Sequence, residues 1–216
     1  MQIILFVDEL LNHLQTNPIG CGLLVVALVI YVYQFYFYLH FIRKGAQKTQ
    51  LTKQLDTTLG VSVIVCAHNE EDNLRDYLHA LLAQDYPCFE VIVVNDGSED
   101  GSLRVLNEYV LHYPNLYITF VPHGARVISS KKLALTIGIK AAKYDYILLT
   151  DADCRPESRY WIRDIMTGFQ SDTTEVVLGF GAYFEKKGFL NHLISYDTLF
   201  SGLQYMGMAK CGCAYM

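Results

Sequence analysis

Two aspartates, Asp151 and Asp153, are the residues of this sequence best suited to do chemistry. They follow an apolar run at residues 144–149 and are separated by Ala152 alone. Alternate side chains of an extended chain point the same way, so both carboxylates are expected at one edge of a sheet. Carboxylate oxygens suit hard cations such as Mg²⁺ and Mn²⁺, and such a cation can bind a diphosphate. The pair therefore indicates nucleotide chemistry, with a helix cap near Pro156 as the open alternative.

Two further polar loops are expected at the same edge. One begins at Ala67 after a predicted strand at residues 61–66, and the other contains Asp96 after a predicted strand at residues 90–94. Ligands of open α/β sheets bind outside the carboxyl ends of the strands. Each loop alone can be a simple turn, because Asp and Gly are favoured there, although Asp96 could also accept a hydrogen bond from the imide of a uracil ring. Three polar loops at one edge indicate a site.

Lys131 begins a predicted helix at residues 131–142, beside the strand that ends at Asp151. A diphosphate would lie there, although surface lysines are commonly only solvated charges, and that alternative stays open. His68 and His123 lack the spacing of a metal motif and are predicted to be structural. The chain has no GxGxxG motif after the first strand and no GxxxxGK[ST] motif, which argues against a dinucleotide oxidoreductase and a P-loop kinase.

Alternating strands and helices must position these residues. Apolar runs predict strands at residues 61–66, 90–94, 116–121, 144–149 and 175–180, and amphipathic segments predict helices at residues 71–83, 101–111, 131–142 and 157–169. This alternation predicts an α/β fold with a mostly parallel, Rossmann-like sheet. The strands are apolar on both faces, as is typical of a sheet that helices cover on both sides.

An apolar stretch without a charged residue, residues 19–42, precedes the predicted domain. About 20 apolar residues suffice to cross a bilayer as a helix, so we predict one transmembrane helix. Arg43, Lys44, Lys48 and Lys53 follow it, which predicts a cytoplasmic C-terminal side. A secretory signal would carry its charges before the apolar core, and a buried core helix is the other alternative.

Composition narrows the class of protein further. The 216 residues carry a net charge of −5, which argues against nucleic-acid binding by bulk charge, and the six cysteines are expected to be free thiols in a reducing compartment. The predicted organisation is an N-terminal segment at residues 1–18, a transmembrane helix at residues 19–42, a linker at residues 43–58 and a donor-binding domain at residues 59–216.

Three successive blocks, VSVIVCAHNEEDNL, EVIVVNDGSEDGS and KKLALTIGIKAAKYDYILLTDADCRP, closely resemble the family 2 glycosyltransferases. The resemblance implies a catalytic domain with the GT-A fold. It also implies that one set of residues holds the nucleotide and another holds the metal. The nucleotide residues are Ala67, Asn69, Glu70, Asp96, Lys131 and Asp151. The metal residues, for Mn²⁺ or Mg²⁺ on the diphosphate of UDP, are Asp151 and Asp153.

The family's reaction is inverting, with an Asp or Glu that deprotonates the acceptor hydroxyl. Asp197 lies in a predicted amphipathic helix and is not assigned that role, so the base is expected beyond Met216, in a longer protein of which this chain is a fragment. The resemblance implies a UDP-sugar donor and a glycan or lipid-linked acceptor. Together with the predicted span and the basic residues after it, this predicts a single-pass enzyme of the plasma (inner) membrane with its domain in the cytoplasm. A non-catalytic nucleotide-binding protein and a processive polysaccharide synthase remain the alternatives.

Overall fold

The computed structural model describes residues 17–47, 59–122, 130–169 and 174–213. Most of the predicted N-terminal segment and linker, with Lys48, Lys53 and His123, lies outside the described residues. The chain divides into two compact units, Met1–Thr49 with Phe180–Met216, and Gln50–Gly179. The elements, in chain order, are α1 (Pro18–Ala46), β1 (Val61–Ala67), α2 (Glu71–Leu82), β2 (Phe89–Asn95), α3 (Ser102–Val110), β3 (Leu116–Phe120), α4 (Ser130–Ala141), β4 (Tyr146–Asp151), α5 (Trp161–Met166) and α6 (Phe189–Lys210).

The unit Gln50–Gly179 contains a four-stranded sheet in the order β3-β2-β1-β4, and every strand pair is parallel. The predicted α/β fold with a parallel sheet is confirmed. From β1 the chain builds the sheet in one direction through β2 and β3, and then crosses back to place β4 on the other side of β1. Such a reversal of strand order leaves a crevice at the carboxyl ends of the strands. The register sets Cys66 of β1 opposite both Val94 of β2 and Asp151 of β4.

Apolar side chains cover both faces of this sheet. Val63 and Val65 belong to the larger cluster, which includes residues of α2, α3 and α5. Ile64 points the other way and packs with Ile92 and with Ala134 of α4. Both faces are buried because helices lie on each side, as the continuous apolar strands predicted. The buried strands hold their carboxyl ends in fixed register.

The predicted strand at residues 175–180 is wrong. Residues 174–180 are irregular, and Val176 and Leu178 are largely exposed. A short apolar run favours an extended chain, but a strand forms only where a neighbour supplies ladder hydrogen bonds. Among the described residues no strand pairs with this segment.

The predicted helix at residues 157–169 is also too long, because only α5 forms within it. The side-chain amide of Gln84 donates to the carbonyl of Ser158 at 3.0 Å, and the backbone N–H of Asp85 donates to the carbonyl of Arg159 at 2.7 Å. Each of these carbonyls thus has a partner in the segment after α2, and that of Ser158 also accepts from the N–H of Trp161 at 3.3 Å in a tight turn. The helix therefore begins after them.

The other unit contains α1 and α6, which cross at two glycines. A Cβ atom at Gly45 would collide with the backbone carbonyl of Leu203, and one at Gly207 would collide with that of Phe41. α1 begins at a cap, since the Asn17 side chain accepts a hydrogen bond from the N–H of Gly20 at 3.1 Å. By length and composition alone, α1 could cross a membrane: its most apolar window has a mean hydropathy of 2.0 and no buried residue.

Gly138→Ala is expected to destabilise the sheet unit. In an open helix this change would stabilise by about 1 kcal/mol through helix propensity. At Gly138, however, the added Cβ would lie 2.5 Å from Cγ2 of Ile64 and 3.0 Å from Cγ2 of Val94. Overpacking of this kind costs about 1–3 kcal/mol, so the change is expected to lower stability instead of raising it. Urea unfolding measures the change, with Lys140→Ala on the exposed side of α4 as the control; a gain in stability at Gly138 would contradict the packing argument.

Candidate functional site

A cavity of about 240 Å³ opens at the carboxyl edge of the sheet, where β1 lies between β2 and β4. Six of the seven residues predicted from the sequence line it: Ala67, Glu70, Asp96, Lys131, Asp151 and Asp153. Cys66, His68, Ala134 and Ala152 complete the lining. Residues up to 87 positions apart therefore meet because the strands are parallel and in register. The lining carries four carboxylates and one lysine.

Asn69 is the predicted residue that is not part of this lining. Its backbone adopts a φ of 56°, in the left-handed region that Asn tolerates better than most residues. Its N–H donates to Oγ of Ser98 at 3.0 Å, and its side-chain oxygen accepts from the N–H of Glu99 at 2.8 Å. Asn69 thus joins the loop after β1 to the loop after β2, and its amide oxygen is used within the protein.

Asn69→Ala is expected to destabilise these two loops. The change removes the hydrogen bond from the N–H of Glu99. It also leaves alanine at positive φ without the local hydrogen bond that offsets the backbone strain, and the combined cost is about 1–3 kcal/mol. Asn69→Gly should cost less, because glycine adopts positive φ freely. Chemical unfolding compares these variants with Asn107→Ala on the exposed side of α3. Equal stability of the Ala variant and the wild type would show that the loops do not depend on Asn69.

His68 lies in the cavity lining, although the sequence predicted only a structural role for it. Its Nδ1 is 2.6 Å from the backbone carbonyl oxygen of Asp96. A carbonyl oxygen only accepts, so Nδ1 carries the hydrogen and donates. The N–H of Asp96 in turn donates to the carbonyl of Ala67 at 2.9 Å. The two loops are therefore hydrogen-bonded to each other directly beside the cavity. In the sequence, the position of His68 between Ala67 and Asn69 was the signal that His68 would border the site.

Lys131 and Asp151 form an ion pair across the cavity, with 2.8 Å between Nζ and Oδ1. Their side chains are 61% and 54% exposed, and a pair so exposed contributes at most about 1 kcal/mol to stability. The hydrogen bond to Asp151 raises the pKa of Lys131, and the charge of Asp153 acts in the same direction. Lys131 therefore stays cationic at neutral pH, and the pair leaves both groups accessible to a ligand.

Cys66 lies at the floor of the cavity, opposite Asp151 in the sheet register. Burial raises the pKa of its thiol, and the nearby charge of Lys131 only partly opposes that effect. The thiol is therefore protonated at neutral pH. A protonated thiol is a poor nucleophile, so this cavity is not arranged for catalysis by a cysteine thiolate.

Asp151 and Asp153 are the residues of the cavity that could hold a metal ion. Asp151 ends β4, and a turn follows in which the N–H of Cys154 donates to the carbonyl of Asp151 at 3.1 Å. In the described part of the chain, no group of three His, Cys, Asp or Glu side chains is arranged to bind a metal. Mg²⁺ is commonly held by one or two carboxylates together with phosphates and water. Asp151 and Asp153 are accessible and could hold an ion of this kind together with the phosphates of a ligand.

Similarity to known proteins covers the part of the chain that contains the sheet and the cavity. The family model described as Glycosyl transferase family 2 matches residues 62–212. The poly-beta-1,6-N-acetyl-D-glucosamine synthase of Staphylococcus epidermidis is 32% identical over 94 residues, which cover 44% of this chain and 22% of that protein. The chondroitin synthase of Pasteurella multocida (strain Pm70) is 28% identical over 138 residues, which cover 63% of this chain and 14% of that protein. The match thus spans a minor part of each relative.

A solved structure has the same arrangement of elements. The mannosyltransferase PcManGT from Pyrobaculum calidifontis, determined in complex with GDP-Man and Mn²⁺, matches with a TM-score of 0.56 at 23% identity. The match covers 69% of this chain and 44% of that chain. At this identity the likeness establishes the fold.

Proposed function

The chain belongs to family 2 of the glycosyltransferases and has the GT-A fold, and on that premise we propose that it moves a sugar from a UDP-sugar to a glycan or lipid-linked acceptor. The transfer would proceed with inversion and depend on a divalent cation. The observation that carries the proposal is the charge of the cavity. Asp96, Lys131, Asp151 and Asp153 line one space of about 240 Å³ at the carboxyl edge of the sheet.

That charge argues for a metal ion. A diphosphate is itself anionic, and four carboxylates against one lysine would repel it at short range. A divalent cation held by Asp151 and Asp153 would balance the charge of these two carboxylates and, when bound, would neutralise the charge that develops on the departing diphosphate. Mn²⁺ and Mg²⁺ both suit carboxylate oxygens. The composition of the cavity therefore supports the proposed metal dependence.

Each remaining residue of the lining has a proposed task on the donor. Asp96 would accept a hydrogen bond from the uracil imide, and Ala67 and Glu70 would border the nucleoside. Lys131 would exchange part of its bond to Asp151 for the diphosphate, because an ammonium donates to phosphate oxygens as readily as to a carboxylate. Asn69 would act on the nucleotide only indirectly, by joining the two loops that border it.

The proposed acceptor follows from the relatives and from α1. The two relatives are named as synthases of a poly-N-acetylglucosamine and of chondroitin, so a polysaccharide is a fitting product class and a processive synthase is the second candidate. α1 is long and apolar enough to cross a membrane, and Arg43 and Lys44 lie in its last turn. We place the sheet unit on the cytoplasmic side, since basic residues flank spans there. None of the described residues is assigned as the catalytic base.

Binding of free nucleotides tests the donor assignment. Calorimetry in Mn²⁺ is expected to show UDP bound more tightly than ADP or GDP, and EDTA should weaken UDP binding by about tenfold or more, since a close charge contact is worth over 1.4 kcal/mol. Equal affinity for UDP in Mn²⁺ and in EDTA would refute the metal assignment. Equal affinity for all three nucleotides would refute the role of Asp96.

A further inference from the structure

One side of α6 carries large apolar side chains that are exposed. Phe189, Leu193 and Tyr196 recur at helical spacing and are 85%, 51% and 63% exposed, and Leu190 and Leu199 flank them. The opposite side of α6 packs against α1, where Gly207 meets the backbone of Phe41. A helix that is apolar on both sides is normally covered on both sides. The outer side of α6 therefore requires an occupant.

We propose that this outer side of α6 binds the surface of an anionic phospholipid bilayer, next to the point where α1 leaves it. The inference rests on the proposed membrane span of α1. The first reason is continuity. Tyr196 stacks on Phe200 with 5.9 Å between ring centroids, and Phe200 lies 5.7 Å from the ring of Tyr38 in α1. The exposed side of α6 is thus joined by aromatic contacts to the end of α1 at which aromatic rings prefer the headgroup region.

The second reason is charge. Lys186 and Lys187 precede α6 and are separated from it by Gly188, and Arg43 and Lys44 lie in the last turn of α1. Cations at the N-terminal end of a helix oppose the helix dipole, so the lysines are better accommodated beside an anionic group than in water alone. Lipid phosphates supply that group at the level of the headgroups. Basic residues beside an apolar surface are typical of segments that lie on anionic membranes.

α6 is suited to lie on the bilayer rather than to cross it. Asp197 and His192 interrupt its exposed side, and in the described part of the chain α1 is the helix apolar and long enough to span. A helix with large apolar residues but interrupting polar groups remains in the interface, with its rings among the headgroups and upper acyl chains. α6 would thus form a second attachment beside the anchor.

Quenching of tryptophan emission by brominated lipids tests the proposal on the full chain. Trp161→Phe removes the one native tryptophan, and single reporters are then introduced as Phe189→Trp on α6 and Ile30→Trp on α1. Leu111→Trp is the matched control, because Leu111 in the other unit is 82% exposed, close to the 85% of Phe189. Each protein is placed in nanodiscs of phosphatidylcholine and phosphatidylglycerol, with and without bromine on the acyl chains.

Loss of emission at positions 189 and 30, but not at position 111, is the expected result. Quenching at position 30 without quenching at position 189 would overturn the proposal and leave the span intact. Absence of quenching at position 30 would overturn the span and the proposal together. A blue-shifted reporter at position 189 that bromine leaves unchanged would mean that protein covers this side, and equal quenching at position 111 would mean that lipid contact is not specific to α6. Either result overturns the proposal.

A charge reversal tests the second reason separately. Lys186→Glu with Lys187→Glu is expected to reduce quenching at position 189 in phosphatidylglycerol nanodiscs, while quenching at position 30 stays unchanged. Lys132→Glu with Lys140→Glu, on α4, is the charge-matched control and should leave both signals as they were. Undiminished quenching at position 189 in the first double variant would refute the role of lipid phosphates.

Discussion

Asp153→Asn is expected to remove the effect of Mn²⁺ on UDP binding, and so to weaken UDP in the presence of the metal by roughly 10²-fold. The change keeps the size of the side chain but removes one of the two charges proposed to hold the cation. The contact of that cation with phosphate is worth several kcal/mol, and about 1.4 kcal/mol corresponds to a tenfold change in affinity. Calorimetric titration of UDP in Mn²⁺ and in EDTA gives both affinities for each variant.

Asp145→Asn provides the matched control for this measurement. Asp145 is exposed and directly precedes β4, so it lies at the opposite end of the strand from Asp153. The Asp145→Asn variant should bind UDP like the wild type, both in Mn²⁺ and in EDTA. If Asp153→Asn retains the full response to Mn²⁺, the ion is held elsewhere, and the assignment of the aspartate pair is wrong. A parallel loss in EDTA would point to disturbed folding, which thermal unfolding of the same sample detects.

Lys131→Met is expected to weaken UDP binding by about 10-fold to 100-fold and to lower the free energy of unfolding by at most about 1 kcal/mol. A hydrogen bond from a charged donor contributes about 1.5–3 kcal/mol, whereas the exposed pair with Asp151 contributes at most about 1 kcal/mol to folding. The two quantities therefore separate a ligand contact from a structural one. Lys140→Met on the same helix should change neither. A loss of unfolding free energy with unchanged UDP affinity would assign Lys131 to the fold instead.

The pH dependence of this contribution follows from the direction of the pKa shift. Because bonding to Asp151 raises the pKa of Lys131, its charge is present at all lower pH and is lost only as the pH rises through that raised value. The contribution of Lys131 to UDP affinity should therefore be constant across neutral pH. A decline near neutrality would have to come from a different group of the cavity.

The positions of apolar and polar residues along the chain predicted the sheet and the edge at which the cavity lies. Apolar runs on both faces required a parallel sheet between helices, and a parallel sheet brings the carboxyl ends of its strands together. For that reason Asp96 and Asp151, far apart in the chain, could be assigned to one edge from their positions after apolar runs. Lys131 could be added because it begins the helix that leads into β4.

The roles of individual loop side chains depend on contacts that form only in the folded chain. Asn69 has the same local setting as Glu70, yet its amide bonds the N–H of Glu99, 30 positions later, while Glu70 lines the cavity. The predicted structural role of His68 agrees with its hydrogen bond to the carbonyl of Asp96, and the fold adds that His68 also borders the cavity. Periodicity reports which face or edge a residue occupies, but it carries no information on bonds between loops.

Long-range contacts also decided which extended or helical segments formed. Residues 175–180 form an apolar run as a buried strand would, but no ladder partner reaches them among the described residues. α1 was predictable from length and apolar composition alone, whereas its close crossing with α6 depends on Gly45 and Gly207 meeting the backbone of the other helix. Such contacts depend on the path of the whole chain, so local sequence determined the elements and the tertiary structure determined their partners.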